Sequence, residues 1–305
     1  MSDMLRPTGV IVPVATPLSA DGGLNEPVFR DLLRAQLPLV DGIFVLGSSG
    51  ELSWLTEAVA AEVRRVAREE TAGRVPLYVG VGDTSLPRTL ARVAALTAGD
   101  AEFVVVTSPY YYPVEQPALA EYFTAVADRS PIPVVLYNIP QNTGVALSTE
   151  TLLTLAAHPN IVGVKDSSGD TFGFLRMLDA RGPGFSVLQG REQLLAASFF
   201  SGADGIVSSL GNVAPALLRA AIDAVAAGDR DHALGLQAEI TALATLFDHG
   251  YWVAALKSAL AALGFEVGAP VAPMPACTPG EAAEVAAALN AANAEWLLGR
   301  ADARG

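Results

Sequence analysis

The sequence predicts an α/β protein built as a closed (β/α)8 barrel with a helical C-terminal extension. Three observations carry this reading: short apolar runs recur along the chain, amphipathic helical segments separate them, and strand signals stop after about Ala227. Near-continuously apolar strands belong to sheets covered on both faces, the normal state of parallel strands in strand–helix repeats. Roughly eight such units over about 225 residues match the size and rhythm of a TIM barrel.

The first run, residues 10–15, follows an N-terminal segment, 1–8, whose Asp3 and Arg6 and brief apolar continuation do not make a signal peptide. Strands are then expected at 43–46, 77–81, 103–106, 134–137 and 161–165, with weaker signals at 185–188 and 205–207. Segments 27–39, 56–71 and 87–97 repeat apolar residues at helical spacing. An open doubly wound sheet is the rival architecture. Its nucleotide-binding form needs a glycine fingerprint or a phosphate-loop lysine, and GSSGE at 47–51 has neither. Beyond the last strand, 230–247, 252–263 and 279–298 read as helices, and the loop 264–278, with Pro270, Pro273 and Pro275, joins the last two. The chain therefore divides into a catalytic barrel, 1–227, and a C-terminal helical region, 228–305.

Composition excludes several classes of function. A net charge of -13 repels phosphate backbones and anionic headgroups, so nucleic acid and membrane partners are not expected. The Ala-rich stretches are broken before reaching the roughly 18 to 20 apolar residues of a membrane span. The single cysteine, Cys277, permits no intrachain disulfide and no multi-cysteine zinc site, which favours the cytoplasm. His158, His232 and His249 lack metal-ligand spacing, so no metal is expected.

In a barrel of this type, catalytic groups sit at the C-terminal ends of strands. That filter retains Lys165, which closes IVGVK, Tyr137, which closes VVLY, and Ser48 and Ser49, which follow FVLG. A buried ammonium is costly unless paired, and a lysine at the end of an apolar strand is placed for attack on a carbonyl. The bland alternatives are that Lys165 snorkels to solvent or pairs with Asp166, that Tyr137 only packs, and that the serines only shape a turn.

Four motifs in order decide between these readings: GSSGE at 47–51, SPYYYP at 108–113, YNIP at 137–140 and GVKDSSG at 163–169. Together they resemble the dihydrodipicolinate synthase and N-acetylneuraminate lyase family over nearly the whole chain. The resemblance implies a class I aldolase or lyase in which Lys165 forms a Schiff base with pyruvate or a related 2-oxo acid. It implies that Ser48, Ser49 and nearby backbone amides hold the substrate carboxylate. Tyr137, the Ser48 hydroxyl and Tyr111 would form a proton relay, Tyr111 reaching in from a neighbouring subunit of a homotetramer arranged as a dimer of dimers, with Tyr110 packing at an interface. No cofactor is required by this scheme.

Substrate choice is a separate matter. Family members that make dihydrodipicolinate carry an arginine shortly after the relay tyrosine, and here that position is Asn142. An amide cannot reproduce the charged bidentate fork of a guanidinium. Asn142 and Thr143 are expected to contact hydroxyls or a carbonyl of the substrate, with Arg191 offering the displaced positive charge. Gly190 and Glu192 occupy the rim where the family handles the distal part of its substrate; Ser208 and Ser209, after the eighth strand, are expected to contact substrate, and the resemblance puts the Val207 carbonyl near the imine; a solvated first helical turn is the plain alternative for Arg191 and Glu192. The favoured reactions are cleavage of a 2-keto-3-deoxy sugar acid or a 4-hydroxy-2-oxo acid. The alternatives are 4-hydroxy-tetrahydrodipicolinate synthesis for lysine, sugar-acid dehydration, and a non-catalytic barrel that binds a 2-oxo acid. An NAD-linked dehydrogenase is disfavoured by the missing glycine fingerprint.

Overall fold

Eight parallel strands close on themselves in the computed structural model, which describes residues 5–299. They are β1 (Gly9–Pro13), β2 (Gly42–Val45), β3 (Leu77–Gly80), β4 (Phe103–Thr107), β5 (Val134–Asn138), β6 (Ile161–Asp166), β7 (Ser186–Gln189) and β8 (Gly205–Val207). Each pairs with its sequence neighbours, and β8 returns to β1 through Gly9↔Gly205, Val10↔Ile206 and Ile11↔Val207. The apolar runs and the strands agree to within a residue or two at each end, including the two weakest.

Alternation along each strand divides the core in two. Ile11, Phe44, Tyr78, Phe103, Val105, Val135, Tyr137, Val162, Leu188 and Val207 form a cluster inside the barrel. Their strand neighbours, such as Val104, Val106, Val134 and Leu136, join an outer cluster between strands and helices; on β6 a register shift against β5 resets the alternation, so that Val162 faces in and Val164 out. Helices Glu26–Gln36, Glu57–Thr71 and Leu86–Ala94 fall on the segments expected to be helical, the first continued by a 3-10 turn at Leu37–Leu39 and the third ending three residues short of the expected 97. Helix Glu57–Thr71 starts where the Thr56 hydroxyl accepts from the Val59 amide.

The C-terminal region comprises helices Arg230–Ala244, Trp252–Ala262 and Pro279–Ala291, with 264–278 as irregular loop. The last helix begins in a capping box between Thr278 and Glu281. It ends seven residues short of the expected 298: Ala292 is extended, and the Asn293 side chain accepts from the Glu295 amide to start a 3-10 turn, Ala294–Trp296. A short amide that bonds its own backbone competes with helix continuation, and helical spacing alone does not register it. Leu236, Ile240, Leu256, Val285 and Leu298 share the outer core with barrel residues, so these helices are fused to the barrel by apolar burial. No described helix is long and apolar enough to cross a membrane. Residues 1–4 of the N-terminal segment and 300–305 of the 228–305 region lie outside the described residues.

Candidate active site

Strand register brings the two most conspicuous residues together. Tyr137 and Lys165 are direct partners on β5 and β6, and Thr107 is the partner of Tyr137 on β4. Lys165 is only 5% exposed. Its ammonium lies 3.9 Å from the centre of the Tyr137 ring and 5.7 Å from that of Phe44. A cation over an aromatic face is attracted by the ring quadrupole, more strongly where water is excluded.

Lys165 does not pair with the acid beside it. Adjacent residues of a strand face opposite ways, and Asp166 turns outward, where Asn138 Nδ2 donates to it at 2.7 Å and Ser168 Oγ at 2.9 Å. Burial raises the Asp166 carboxyl above its ordinary pKa, against the pull of those two donors. The outward face of β6 is thus satisfied without Lys165.

A cleft opens over the rings that hold the lysine, lined by Phe44, Gly47, Ser48, Thr107, Tyr110, Tyr137, Asn142 and Thr143 among others. Lys165 is not itself on the cleft wall; its ammonium lies against two rings that are. Ser48 is half-buried on that wall, whereas Ser49 is buried and hydrogen-bonds the Ser209 hydroxyl at 2.8 Å, tying the loop after β2 to the loop after β8. The two serines therefore differ: one hydroxyl borders the cleft and the other is engaged within the protein.

Asn142 is exposed at the cleft mouth, at the end of the short helix Pro140–Thr143. The buried Thr143 hydroxyl donates to the carbonyls of Ile139 at 3.1 Å and Val145 at 2.9 Å, so it closes its own turn while lining the cleft. Tyr110 also lines the cleft, and burial followed by the nearby Asp83 charge raises its phenol above the ordinary pKa. Tyr111 is 82% exposed, has a left-handed backbone (φ 86°), and meets the exposed Tyr112 edge to face at 4.8 Å. Within one chain, Tyr110 rather than Tyr111 borders the site.

The other expected residues lie at the C-terminal ends of β7 and β8, and none of them lines this cleft. Glu192 is buried and accepts from the Ser208 hydroxyl at 3.0 Å. Burial raises its carboxyl above the ordinary value, outweighing Ser208 and the Lys165 and Arg191 charges that favour the anion. Arg191 is half-buried and anchored by its Nε to the Ser167 carbonyl at 3.0 Å. Gly190 is required by close approach: a Cβ there would lie 2.0 Å from Ser167 Oγ. Val207 belongs to the inner cluster below Ser208.

Sequence reasoning missed Phe44 and Thr107 as cleft residues and read Tyr110 as packing at an interface. Thr107 carried a usable signal, since it directly follows the run 103–106 and so occupies a strand end. Among the described residues no group of His, Cys, Asp and Glu has the arrangement of a metal site.

Comparison with known proteins shows the family and the fold. The model of the dihydrodipicolinate synthetase family matches residues 6–292. A 4-hydroxy-tetrahydrodipicolinate synthase of Exiguobacterium sibiricum is 34% identical over 262 residues, covering 86% of this chain and 89% of the relative. One from Stenotrophomonas maltophilia is 40% identical over 228 residues, covering 73% and 76%. Among solved structures, YagE, a prophage protein of the dihydrodipicolinic acid synthase family from E. coli K12 in complex with pyruvate, superposes with a TM-score of 0.88 at 30% identity, over 93% of this chain and 97% of its own.

Proposed function

Because this chain belongs to the dihydrodipicolinate synthetase family, a family of class I aldolases and lyases that work through a lysine Schiff base, we propose that Lys165 is the nucleophile and that a 2-oxo acid such as pyruvate is the substrate it captures. The observation that carries this assignment is the buried Lys165 ammonium held against the ring of Tyr137, which lines an open cleft. The amine adds to the C2 carbonyl and water leaves as the imine forms. The protonated imine accepts the electron pair of the C3–C4 bond as an aldehyde departs, leaving an enamine. Protonation at C3 and hydrolysis then release pyruvate and the free amine. Synthesis runs the same steps in reverse.

In this reading the Ser48 hydroxyl and backbone amides of the loop, that of Ser49 among them, hold the carboxylate and so orient the carbonyl for attack, while the Ser49 hydroxyl braces the loop through Ser209. Tyr137 carries protons to and from the reacting centre, with Ser48 and Tyr111 of a neighbouring copy completing the relay. A cytoplasmic homotetramer is part of the same proposal. Its supports are the exposed Tyr111–Tyr112 pair, the single cysteine and the strongly acidic composition.

The names of the relatives favour a second reading, condensation of pyruvate with aspartate semialdehyde. Asn142 argues against it, having no charge to offer a distal carboxylate. Arg191 offers one from the opposite side of the mouth, and Glu192 with Ser208 offers hydroxyl partners there. We therefore favour aldol cleavage of a 2-keto-3-deoxy sugar acid or a 4-hydroxy-2-oxo acid; a sugar-acid dehydratase would use the same imine. Borohydride reduction in the presence of pyruvate is expected to add one reduced pyruvyl group to Lys165, detectable by peptide mass, and Lys165→Ala to abolish it. Absence of an adduct with pyruvate and longer 2-oxo acids, in folded protein, would overturn the proposal. Comparing turnover of aspartate semialdehyde with that of hydroxylated 2-oxo acids separates the two substrate readings.

A further inference from the structure

The loop that follows β2 is held in an unfavourable backbone conformation. Leu46 (φ 60°) and Glu51 (φ 59°) both occupy left-handed backbone, the region that favours glycine. They flank Ser48 and Ser49. Such conformations persist only where the surroundings over-determine them. Part of that support is steric: the Leu46 carbonyl lies where a Cβ on Gly80 would stand, 1.8 Å away, so β3 can approach this closely only as glycine.

The rest comes from outside the barrel. Glu51 leaves the loop away from the cleft and enters the C-terminal region, where its side chain is 0% exposed. One carboxylate oxygen lies 2.6 Å from the Lys257 ammonium, and the other accepts from the Val271 amide at 2.7 Å. Lys257, on helix Trp252–Ala262, also donates to the Ala269 carbonyl at 3.0 Å. Burial lowers the Lys257 pKa, and the Glu51 charge opposes that shift. Helix and loop of the extension thus converge on one side chain of the strained loop. The same loop is held from below by Thr16, whose hydroxyl donates to the Gly50 carbonyl at 2.8 Å.

We propose that Lys257 is a positioning residue, which through Glu51 fixes the loop bearing Ser48 and Ser49 and thereby sets how tightly the carboxylate of a 2-oxo acid is held. This rests on the imine reading above, because the loop matters to binding only if the substrate carboxylate sits against it. A buried ion pair is weak evidence for net stability, since neutral replacement of both members is often tolerated. Its retention at this position is accounted for by orientation: a carboxylate held from two directions allows the loop little freedom to relax toward ordinary backbone.

The test uses the full chain, pyruvate as probe and borohydride trapping at Lys165 as readout, alongside thermal unfolding. If the unsubstituted protein traps no pyruvate, the imine reading fails. If it traps, Lys257→Met and Glu51→Gln are each expected to raise the half-saturating pyruvate concentration by about tenfold or more, with trapping at saturation within about threefold, the pattern of lost ground-state binding. The paired variant Glu51→Gln/Lys257→Met is expected to regain thermal stability, having no isolated buried charge, yet to keep the raised half-saturation. The proposal is overturned if half-saturation is unchanged in the single variants, if it recovers together with stability in the pair, or if none of the three variants folds. The last two outcomes would mean that the pair serves folding and not the loop.

Discussion

Replacing Tyr137 by phenylalanine removes one oxygen from the site and leaves the ring in place. That ring is buried in the inner cluster and faces the Lys165 ammonium at 3.9 Å. Phenylalanine keeps the cation–ring contact, which is worth about 0.5–2 kcal/mol, so unfolding free energy is expected to change by less than about 1 kcal/mol. A melting temperature within about 2–4 °C of the parent follows for a chain of this length. Activity should respond differently. A positioned acid–base group contributes about 10²- to 10⁴-fold, which is about 3–5 kcal/mol of barrier at 1.36 kcal/mol per decade. Tyr137→Phe should therefore lose two or more orders of magnitude in turnover while still giving a borohydride-trapped adduct after long incubation. Tyr137→Ala is the contrasting control, since loss of a buried aromatic ring costs about 3–5 kcal/mol and also removes the face against which the lysine rests. Intact mass, steady-state turnover and calorimetry on the two variants make the measurement. Parent-like turnover in Tyr137→Phe would refute the proton role, and complete loss of adduct in that variant would show that the phenol acts on the amine itself.

Two further predictions follow from the mouth of the barrel. Glu192 has an ordinary carboxyl value of 4.5, raised in the fold chiefly by burial, so between that value and its own higher pKa the folded state holds a proton that the unfolded chain has released. Stability then falls as pH rises through this window and is level beyond it. Glu192→Gln does not titrate, so its stability relative to the parent should grow across the same window; a pH-independent difference in urea unfolding would contradict the assignment. Tyr111 is 82% exposed in one chain, and Tyr111→Phe should change stability by no more than about 0.5 kcal/mol while lowering turnover by about tenfold or more, as loss of a relay member would. Mixing subunits of Tyr111→Phe with subunits of Lys165→Ala should restore activity if the tyrosine serves a neighbouring site, and no recovery after verified subunit exchange would exclude that arrangement.

The barrel was legible in the sequence because its strands are buried on both faces and its helices on one, so periodicity reported each element directly. Lys165 and Tyr137 were legible for a related reason: each ends an apolar run, and a polar group at that point faces the active end of a barrel. The partners of Lys165 were harder to read. Asp166 is its neighbour in sequence, yet a strand sends the two side chains to opposite faces, and Asp166 is engaged by Asn138 and Ser168. The different surroundings of Ser48 and Ser49, one on the cleft wall and one bonded to Ser209, depend on a contact between residues 160 positions apart. Tyr110 and Tyr111 are likewise indistinguishable in a run of three tyrosines until the left-handed backbone at Tyr111 is seen. Lys257 did carry a signal that went unread, as a lone cation in the apolar helix WVAALKSALAA.

The acidic charge of the chain and its proposed anionic substrate are reconciled by where the donors lie. Net charge acts over distances comparable to the screening length of about 8 Å at physiological ionic strength, whereas the carboxylate contacts proposed at Ser48 and the adjoining backbone are short hydrogen bonds inside a cleft. Hydroxyls and amides provide them without adding a second cation beside Lys165. A guanidinium near the amine would repel the protonated imine that the reaction must form. Arg191 is anchored by the Ser167 carbonyl, beside the buried Glu192 that accepts from Ser208, and the proposed function assigns it the distal end of the substrate. The proposed function therefore divides the roles, with short neutral donors for the reacting end of the 2-oxo acid and Arg191, Glu192 and Ser208 for its remainder. Asn142 on the cleft lining offers only an uncharged amide where synthases carry an arginine, so in this proposal the distal charge falls to Arg191.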